Sequence, residues 1–299
     1  MNRRAPGALL VAAGLLAAAG VTPAAPAPDD VDEVIRLQLR LQCSENPQDR
    51  PLYWWKGRMY SRVPGERDRH LFDVQGMNIG QCESFRDPVR GLCFRSISRE
   101  LMFYLDPASG EVVRRWTNPW TGAEVEVVHV ANDPPGRGHV CARDESGRPT
   151  AVSRYFVKDG KLMHGGGAAR LFYDSPLGGD FQDYVGGKYH AMELGSSATP
   201  LERVHDASVG YVRDRVISWG RVSTWLPWME MGSRPGLVYF HTAGLRLDSV
   251  DELPQVMRDE MTRHQPHYVE PPPLDYPRPR ETSWTVFRDH LERRRAAGE

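Results

Sequence analysis

Three histidines in predicted strands are the best candidates for acid–base chemistry in this chain. His129 ends an alternating run, His190 lies two residues after a lysine, and His241 shares a face with Tyr239, one step along the pleat. An imidazole that projects into an apolar interior titrates near neutrality, so it can act as a general acid or base. We expect His241 or His190 to be the catalytic base and Tyr239 to donate a hydrogen bond, with His129 as a further candidate. The alternative is that each imidazole is satisfied by a backbone carbonyl.

Tryptophan is frequent, and most of the eight residues lie in pairs or at predicted strand ends. Tryptophan in such a position can form the wall of a pocket for a flat or hydrophobic ligand. We therefore predict a ligand-binding role for four of them: Trp55, Trp120, Trp225 and Trp228. The alternative is that these rings fill a β core.

Several classes of function are excluded by the motifs that the sequence lacks. There is no G-x-S-x-G nucleophile elbow, no P-loop, no dinucleotide fingerprint and no H-E-x-x-H zinc helix. We therefore expect no cofactor and no metal ion. The formal net charge of −1 gives no electrostatic footprint for nucleic acid. The expected partner is a small hydrophobic or aromatic molecule.

The N-terminus has the features of an export signal. Arg3 and Arg4 precede a short apolar run from Ala8 to Val21, and small residues follow. This pattern is typical of a cleaved signal peptide, which we assign to residues 1–27. The signal is compatible with two export pathways, the general secretory (Sec) pathway and the twin-arginine pathway. No later segment is apolar enough for stable membrane insertion, so we expect a periplasmic or secreted protein.

The four cysteines are consistent with an exported protein. An even number in an exported chain predicts up to two disulfides, with three possible pairings. Because closing a short loop costs less chain entropy, we expect Cys82 to pair with Cys93 and Cys43 to pair with Cys141. Buried free thiols are the competing interpretation.

The elements that must position these residues are mostly strands. A helix is predicted from Asp29 to Cys43, with Asp29 and Asp30 as the candidate caps. From Tyr53 to about Leu247, short runs of period two alternate with turns. The clearest is the Asp159-Gly160 hairpin, which predicts the cross-strand pairs Val157–Leu162, Phe156–Met163 and Tyr155–His164.

The predicted fold is mainly β, a large antiparallel meander closed into a barrel-like or strongly curved sheet, with N- and C-terminal helices. We assign residues 28–270 to one β-rich domain. Residues 271–299 form a Pro-rich linker and a helix, capped by Ser283, whose Trp284, Phe287 and Leu291 dock back on the sheet.

Two segments resemble a known protein family. The first is Asn118 to Gly122 followed by Glu124 to Asn132, and the second runs from Trp228 to Gly244. Both are similar to a bacterial and fungal family defined as a domain of unknown function, number eighteen thirty-eight. The resemblance covers about residues 39–267. It implies relatedness, without an established reaction or catalytic residues.

Together these observations predict an exported protein that binds a small hydrophobic or aromatic molecule, with cofactor-free acid–base chemistry of the lyase, isomerase or hydrolase type. The alternative is a non-catalytic periplasmic binding protein or an envelope-associated structural protein. The structural alternative predicts no cavity above about 300 Å³, the lower bound for ordinary ligand pockets.

Overall fold

The computed structural model describes residues 30–135, 139–150, 155–173, 188–277 and 281–298. The predicted signal peptide lies outside the described residues. The strands are β1 Leu52–Arg62, β2 Arg69–Asp87, β3 Gly91–Leu105, β4 Arg115–Thr117, β5 Glu124–Glu126, β6 Val130–Asn132, β7 His139–Cys141, β8 Tyr155–Lys158, β9 Lys161–Tyr173, β10 Tyr189–Pro200, β11 Val216–Ser223 and β12 Leu237–Leu247. The helices are α1 Val31–Gln42, α2 Leu201–His205, α3 Gln255–His264 and α4 Ser283–Ala297. No described helix is both long and apolar enough to cross a membrane.

Ten strands form one antiparallel sheet in the order β6-β3-β2-β1-β12-β11-β10-β9-β8, with β7 also paired to β3. Two meanders meet where β1 pairs with β12. The predicted mainly β, antiparallel architecture with terminal helices is confirmed. Closure into a barrel is wrong, because β6 and β8 lie at opposite ends of the strand order and do not pair. Hairpins are local, whereas closure needs an additional pairing between the ends, and here the end strands have only three and four residues.

The predicted Asp159-Gly160 hairpin is present between β8 and β9. Val157 lies opposite Leu162, and the two further predicted pairs follow in the same register. Both turn residues have positive φ, 48° and 70°, as a two-residue turn of this hand requires.

Helix α1 begins at the predicted cap. The Asp30 carboxylate accepts a hydrogen bond from the backbone N–H of Asp32 at 2.9 Å. Ile35 and Leu39 are buried against β2, β3 and Ala142, so α1 packs on the end of the β2–β3 hairpin that carries its turn.

The disulfides are Cys43–Cys82 and Cys93–Cys141, so the predicted pairing is wrong. In the β2–β3 hairpin Cys82 lies opposite Ser96, three residues from Cys93. Because successive side chains alternate between the faces of a sheet, Cys82 and Cys93 point in opposite directions. Loop length alone does not contain this information. The described residues include no free cysteine, and two disulfides are typical of an oxidising, extracellular environment.

Side chains alternate along each strand, so the sheet has two faces that we name after the helices on them. On the α4 face, Met59, Phe72 and Phe240 share a hydrophobic core with Phe287 and Leu291 of α4. On the α3 face, a second core joins one part of the sheet to the methionines of α3; its members include Leu52, Met77, Leu101, Leu247, Met257 and Met261.

Helix α4 is the element that covers the α4 face. Phe287 is 1% exposed and Leu291 is buried, while Trp284 packs at the edge of the same core. The cap is Thr282, in a capping box with Thr285, and Ser283 is the first residue of the helix. The helix position leaves a space between itself and the sheet.

Candidate functional site

That space is a cavity of ≈560 Å³, which we call the inner cavity. Its volume lies within the range of ordinary ligand pockets, above the about 300 Å³ at which they begin. The aromatic residues that line it are Tyr104, Tyr189, Trp219, Trp228, Phe240, Trp284 and Phe287. The charged residues that line it are Glu100, Glu193 and Arg221.

Strand register brings the central polar residues together. Arg221 of β11 lies opposite Glu193 of β10 on one side and opposite Phe240 of β12 on the other. Directly opposed residues point to the same face, so all three project toward α4. Trp219, two residues earlier on β11, joins them because the side-chain period of a strand is two.

Arg221 is held by a carboxylate and a phenol. Its Nη1 donates to Glu193 Oε1 at 2.6 Å, and its Nη2 donates to the Tyr189 hydroxyl. Its buried Nε has no hydrogen-bond partner. Burial lowers the pKa of Arg221, but the charges of Tyr189 and Glu193 outweigh this effect and the pKa lies above its ordinary value. The guanidinium is therefore charged at neutral pH.

The aromatic walls of the inner cavity contact one another. The rings of Tyr104 and Trp228 are 5.3 Å apart, and those of Tyr189 and Trp284 are perpendicular at 4.7 Å. The first pair is tilted and the second is edge-to-face, and aromatic contacts of this kind are favourable. Burial raises the pKa of Tyr104, so its phenol stays neutral at physiological pH.

Of the four predicted ligand-binding tryptophans, Trp228 lines the inner cavity and the other three do not. Trp225 is buried, with its indole N–H donating to the Arg234 carbonyl at 3.0 Å. The ring of Trp120 lies 5.0 Å from that of Trp225. Trp55 covers Gly76, where a Cβ would lie 2.4 Å from the ring.

The structure does not bring the predicted catalytic histidines together. His190 and His241 are exposed on the α3 face, and neither lines a described cavity. Tyr239 lies on the same face, where its hydroxyl donates to Asp68 Oδ2 at 2.8 Å. The expectation that these side chains project into an apolar interior is wrong, because their strand positions alternate with Phe240 and Tyr189, which take the inner side.

His129 is buried and lines a second cavity of ≈390 Å³, which we call the histidine cavity. The backbone N–H of Tyr104 donates to His129 Nδ1 at 3.2 Å, so the proton of the neutral ring is on Nε2. Nε2 is buried near the Val113 carbonyl, without the geometry of a hydrogen bond. Burial and then the Arg114 charge lower the pKa of His129 to about 3, although the Val113 carbonyl opposes the shift. At neutral pH this imidazole is a hydrogen-bond donor rather than an acid.

The histidine cavity contains three other imidazoles, those of His264, His267 and His290. Across the described ranges, no group of three or more histidines, cysteines and carboxylates is arranged to hold a metal ion.

Sequence reasoning missed Arg221, Glu193, Trp219 and Trp284. A signal was present, because Trp219 and Arg221 are two residues apart and share a face. The sequence pattern predicts one strand from Tyr211 to Trp219 and the next from Arg221 to Leu226, with Gly220 as a break. In the structure, β11 runs through Gly220 without interruption. Glu193 becomes significant only through its partner across the strand.

The two segments that carry the family resemblance contact each other beside the inner cavity. The buried amide of Asn118 in the first segment donates to the Met229 carbonyl in the second at 2.8 Å. A family model described as a protein of unknown function (DUF1838) matches residues 48–291. A search of curated proteins found no match.

Proposed function

We propose that the chain, which belongs to the family of proteins of unknown function (DUF1838), binds a small aromatic or hydrophobic molecule in the inner cavity. One observation carries this proposal. A cavity of ≈560 Å³ is lined by seven aromatic side chains and only a few charged ones. Ligand pockets typically combine mostly apolar walls with a small number of polar groups that fix orientation.

The walls are suited to a flat molecule. Trp219 and Phe240 belong to the sheet, with ring centres 5.8 Å apart, while Trp284 and Phe287 belong to α4. A planar ligand between the sheet and α4 would bury both of its faces against rings. Burial of apolar area contributes about 25 cal/mol per Å², so a two-ring molecule gains several kcal/mol before its ordering cost.

Tryptophan fluorescence tests this proposal directly. Adding naphthalene derivatives should change the emission of the wild-type protein, and Trp284→Ala should weaken binding about tenfold or more because one wall is lost. Trp120→Ala is the matched control, since Trp120 does not line the inner cavity and its variant should keep the wild-type affinity. The proposal is contradicted if no compound in a broad aromatic panel changes the tryptophan emission, or if both variants lose affinity equally.

The proposed place of action is the periplasm or the exterior of the cell, reached through the N-terminal signal peptide. The two disulfides support this proposal, because they persist in oxidising compartments. Determining the N-terminus of the protein purified from its native source should reveal cleavage between residues 19 and 27. An intact Met1 contradicts export by this route.

Cofactor-free acid–base chemistry is the second candidate function, and His129 favours it. Its Nε2–H is buried beside a cavity, has only the Val113 carbonyl nearby without the geometry of a hydrogen bond, and can polarise a carbonyl oxygen. With 2-acetylnaphthalene in deuterated buffer, deuteroxide from the buffer removes a methyl proton while Nε2–H stabilises the enolate oxygen, and D₂O returns a deuteron to the carbon. The wild type should therefore exchange the methyl hydrogens faster than the buffer alone, and His129→Phe, which lacks the donor, should not. If the wild type exchanges no faster than the buffer alone, the acid–base function is contradicted and only the non-catalytic binding function stands.

A further inference from the structure

We infer that the ligand of the inner cavity is an aromatic carboxylate whose charged group binds Arg221. This inference rests on the proposed function, that the inner cavity binds a small aromatic molecule. It adds the chemical class of the polar group and the residue that recognises it.

The first support is the kind of hydrogen-bonding group that the inner cavity leaves unused. Two of its side-chain atoms are buried and without a partner, Arg221 Nε and Trp228 Nε1. The Trp228 indole lies near the Tyr104 hydroxyl, without the geometry of a hydrogen bond, and opposes the rise in the pKa of that phenol that burial causes. Both unused atoms are donors, and among the described side chains that line the cavity no acceptor atom is buried without a partner. A buried donor without a partner costs free energy, so a ligand that brings an acceptor is favoured.

The second support is the position of Arg221 among the rings. Its row across the sheet places Glu193 on one side and Phe240 on the other, with Trp219 two residues away on the same face. An aromatic ring seated against Trp219 and Phe240 would hold a carboxylate substituent beside the guanidinium. Arginine binds carboxylates through its planar fork of N–H donors, and such charge-assisted bonds are about twice as strong as neutral ones.

Glu193 explains how the fold tolerates this buried charge. A buried guanidinium without a counter-ion is strongly destabilising, and the Glu193 carboxylate at 2.6 Å supplies that counter-ion. It accepts from Nη1, while Nε is buried and has no partner. Glu193 also repels an incoming anion, so it sets an upper limit on carboxylate affinity that a substitution can release.

Glu100 is the remaining charge on the lining, and it points to a competing class of ligand. Its Oε2 accepts a hydrogen bond from the Asn132 amide at 2.7 Å. Two carboxylates with aromatic walls can also attract an organic cation. We favour the anion because the unused buried atoms are donors, and the experiment includes the cation as an outcome.

The test compares three ligands with the same ring system by calorimetry at pH 7. They are 2-naphthoate, the neutral 2-naphthalenemethanol and the cationic 2-naphthylmethylammonium. We expect 2-naphthoate to bind the wild type at least about tenfold more tightly than the alcohol, the effect of one charge-assisted hydrogen bond. Arg221→Gln should abolish this preference and leave alcohol affinity within twofold. Arg58→Gln, an exposed arginine on the α3 face, is the matched control and should keep the preference.

A second variant covers the case in which Arg221→Gln does not fold. Glu193→Gln removes the repelling charge and keeps the guanidinium, so 2-naphthoate should bind several-fold more tightly while the alcohol is unchanged. Equal affinities for acid and alcohol, or tighter binding of the ammonium compound, overturn this inference and leave the proposed function standing. If none of the three ligands binds the wild type, the inference and the proposed function both fail.

Discussion

The two faces of the sheet are built from the same strands but differ in the side chains that they present and in the helix that covers them. On β12, Phe240 points to the inner cavity, whereas its neighbours Tyr239 and His241 point to the α3 face. On β10, Tyr189 is buried and His190 is exposed. Alternation therefore divides residues correctly into two sets without indicating which set is covered.

Coverage is decided by helices from elsewhere in the chain. Helix α4 covers the α4 face and encloses the inner cavity, while α3 packs on only part of the opposite face. The rest of the α3 face leaves several large apolar side chains exposed: Phe172, Leu194, Val216 and Leu245. The hydrophobicity of a side chain on a strand therefore did not predict which face of the sheet lines the inner cavity.

Substitution of one phenylalanine on each face should give the largest difference. Phe287→Ala removes a ring of α4 that packs against the sheet and is 1% exposed, so we expect a loss of about 3–5 kcal/mol in the free energy of unfolding. Phe172→Ala removes a ring that is 67% exposed on the α3 face and should change stability by no more than about 0.5 kcal/mol. Urea denaturation of both variants measures the comparison. Similar losses would mean that the α3 face is covered in the working protein.

The buried and exposed histidines should differ in how they affect acid stability. The pKa of His129 is about 3 in the folded protein against 6.5 without burial, so the unfolded chain takes up the proton first. Stability is therefore lost as the pH falls from 6.5 toward 3, by about 2–3 kcal/mol at pH 4.5. His129→Gln should lack this contribution, and His241→Gln should keep it.

Urea denaturation at pH 7 and pH 4.5 gives the measurement. The relevant quantity is the change in unfolding free energy between the two pH values for each protein, not the stability of the variant itself. An unchanged pH difference in His129→Gln would show that this imidazole is solvated.

The smallest effects are expected from the residues that the sequence favoured for catalysis. His190→Ala, His241→Ala and Tyr239→Phe should each leave 2-naphthoate affinity within about twofold, because none of the three lines the inner cavity. Calorimetry on the folded variants is sufficient. A tenfold loss in any of them would return the functional site to the α3 face and count against the inner cavity.

Local patterns made much of the fold predictable. The Asp159-Gly160 turn gave the hairpin register correctly because two positive φ angles and a side-chain period of two fix it within ten residues. The cap of α1 followed from Asp30 for the same reason, since a cap involves only neighbouring residues. The family resemblance was likewise confirmed by the match over residues 48–291.

The candidate site was less predictable, since its residues depend on pairings between distant strands. Glu193 and Arg221 are unremarkable in sequence and become an ion pair only because β10 and β11 align them. Trp284 reaches the inner cavity because α4 returns from the end of the chain. Gly220, taken as a break, obscured the one local signal that linked Trp219 to Arg221.

By itself, the sequence determined a chain rich in antiparallel strands, bounded by helices, with turns and caps at defined residues. These features depend on backbone conformations and side-chain periods that act over a few residues. Only the tertiary structure decided that the sheet stays open, that Cys43 meets Cys82, and that the aromatic face lies under α4. Those outcomes depend on which surfaces bury each other across the whole chain, and no local pattern specifies that choice.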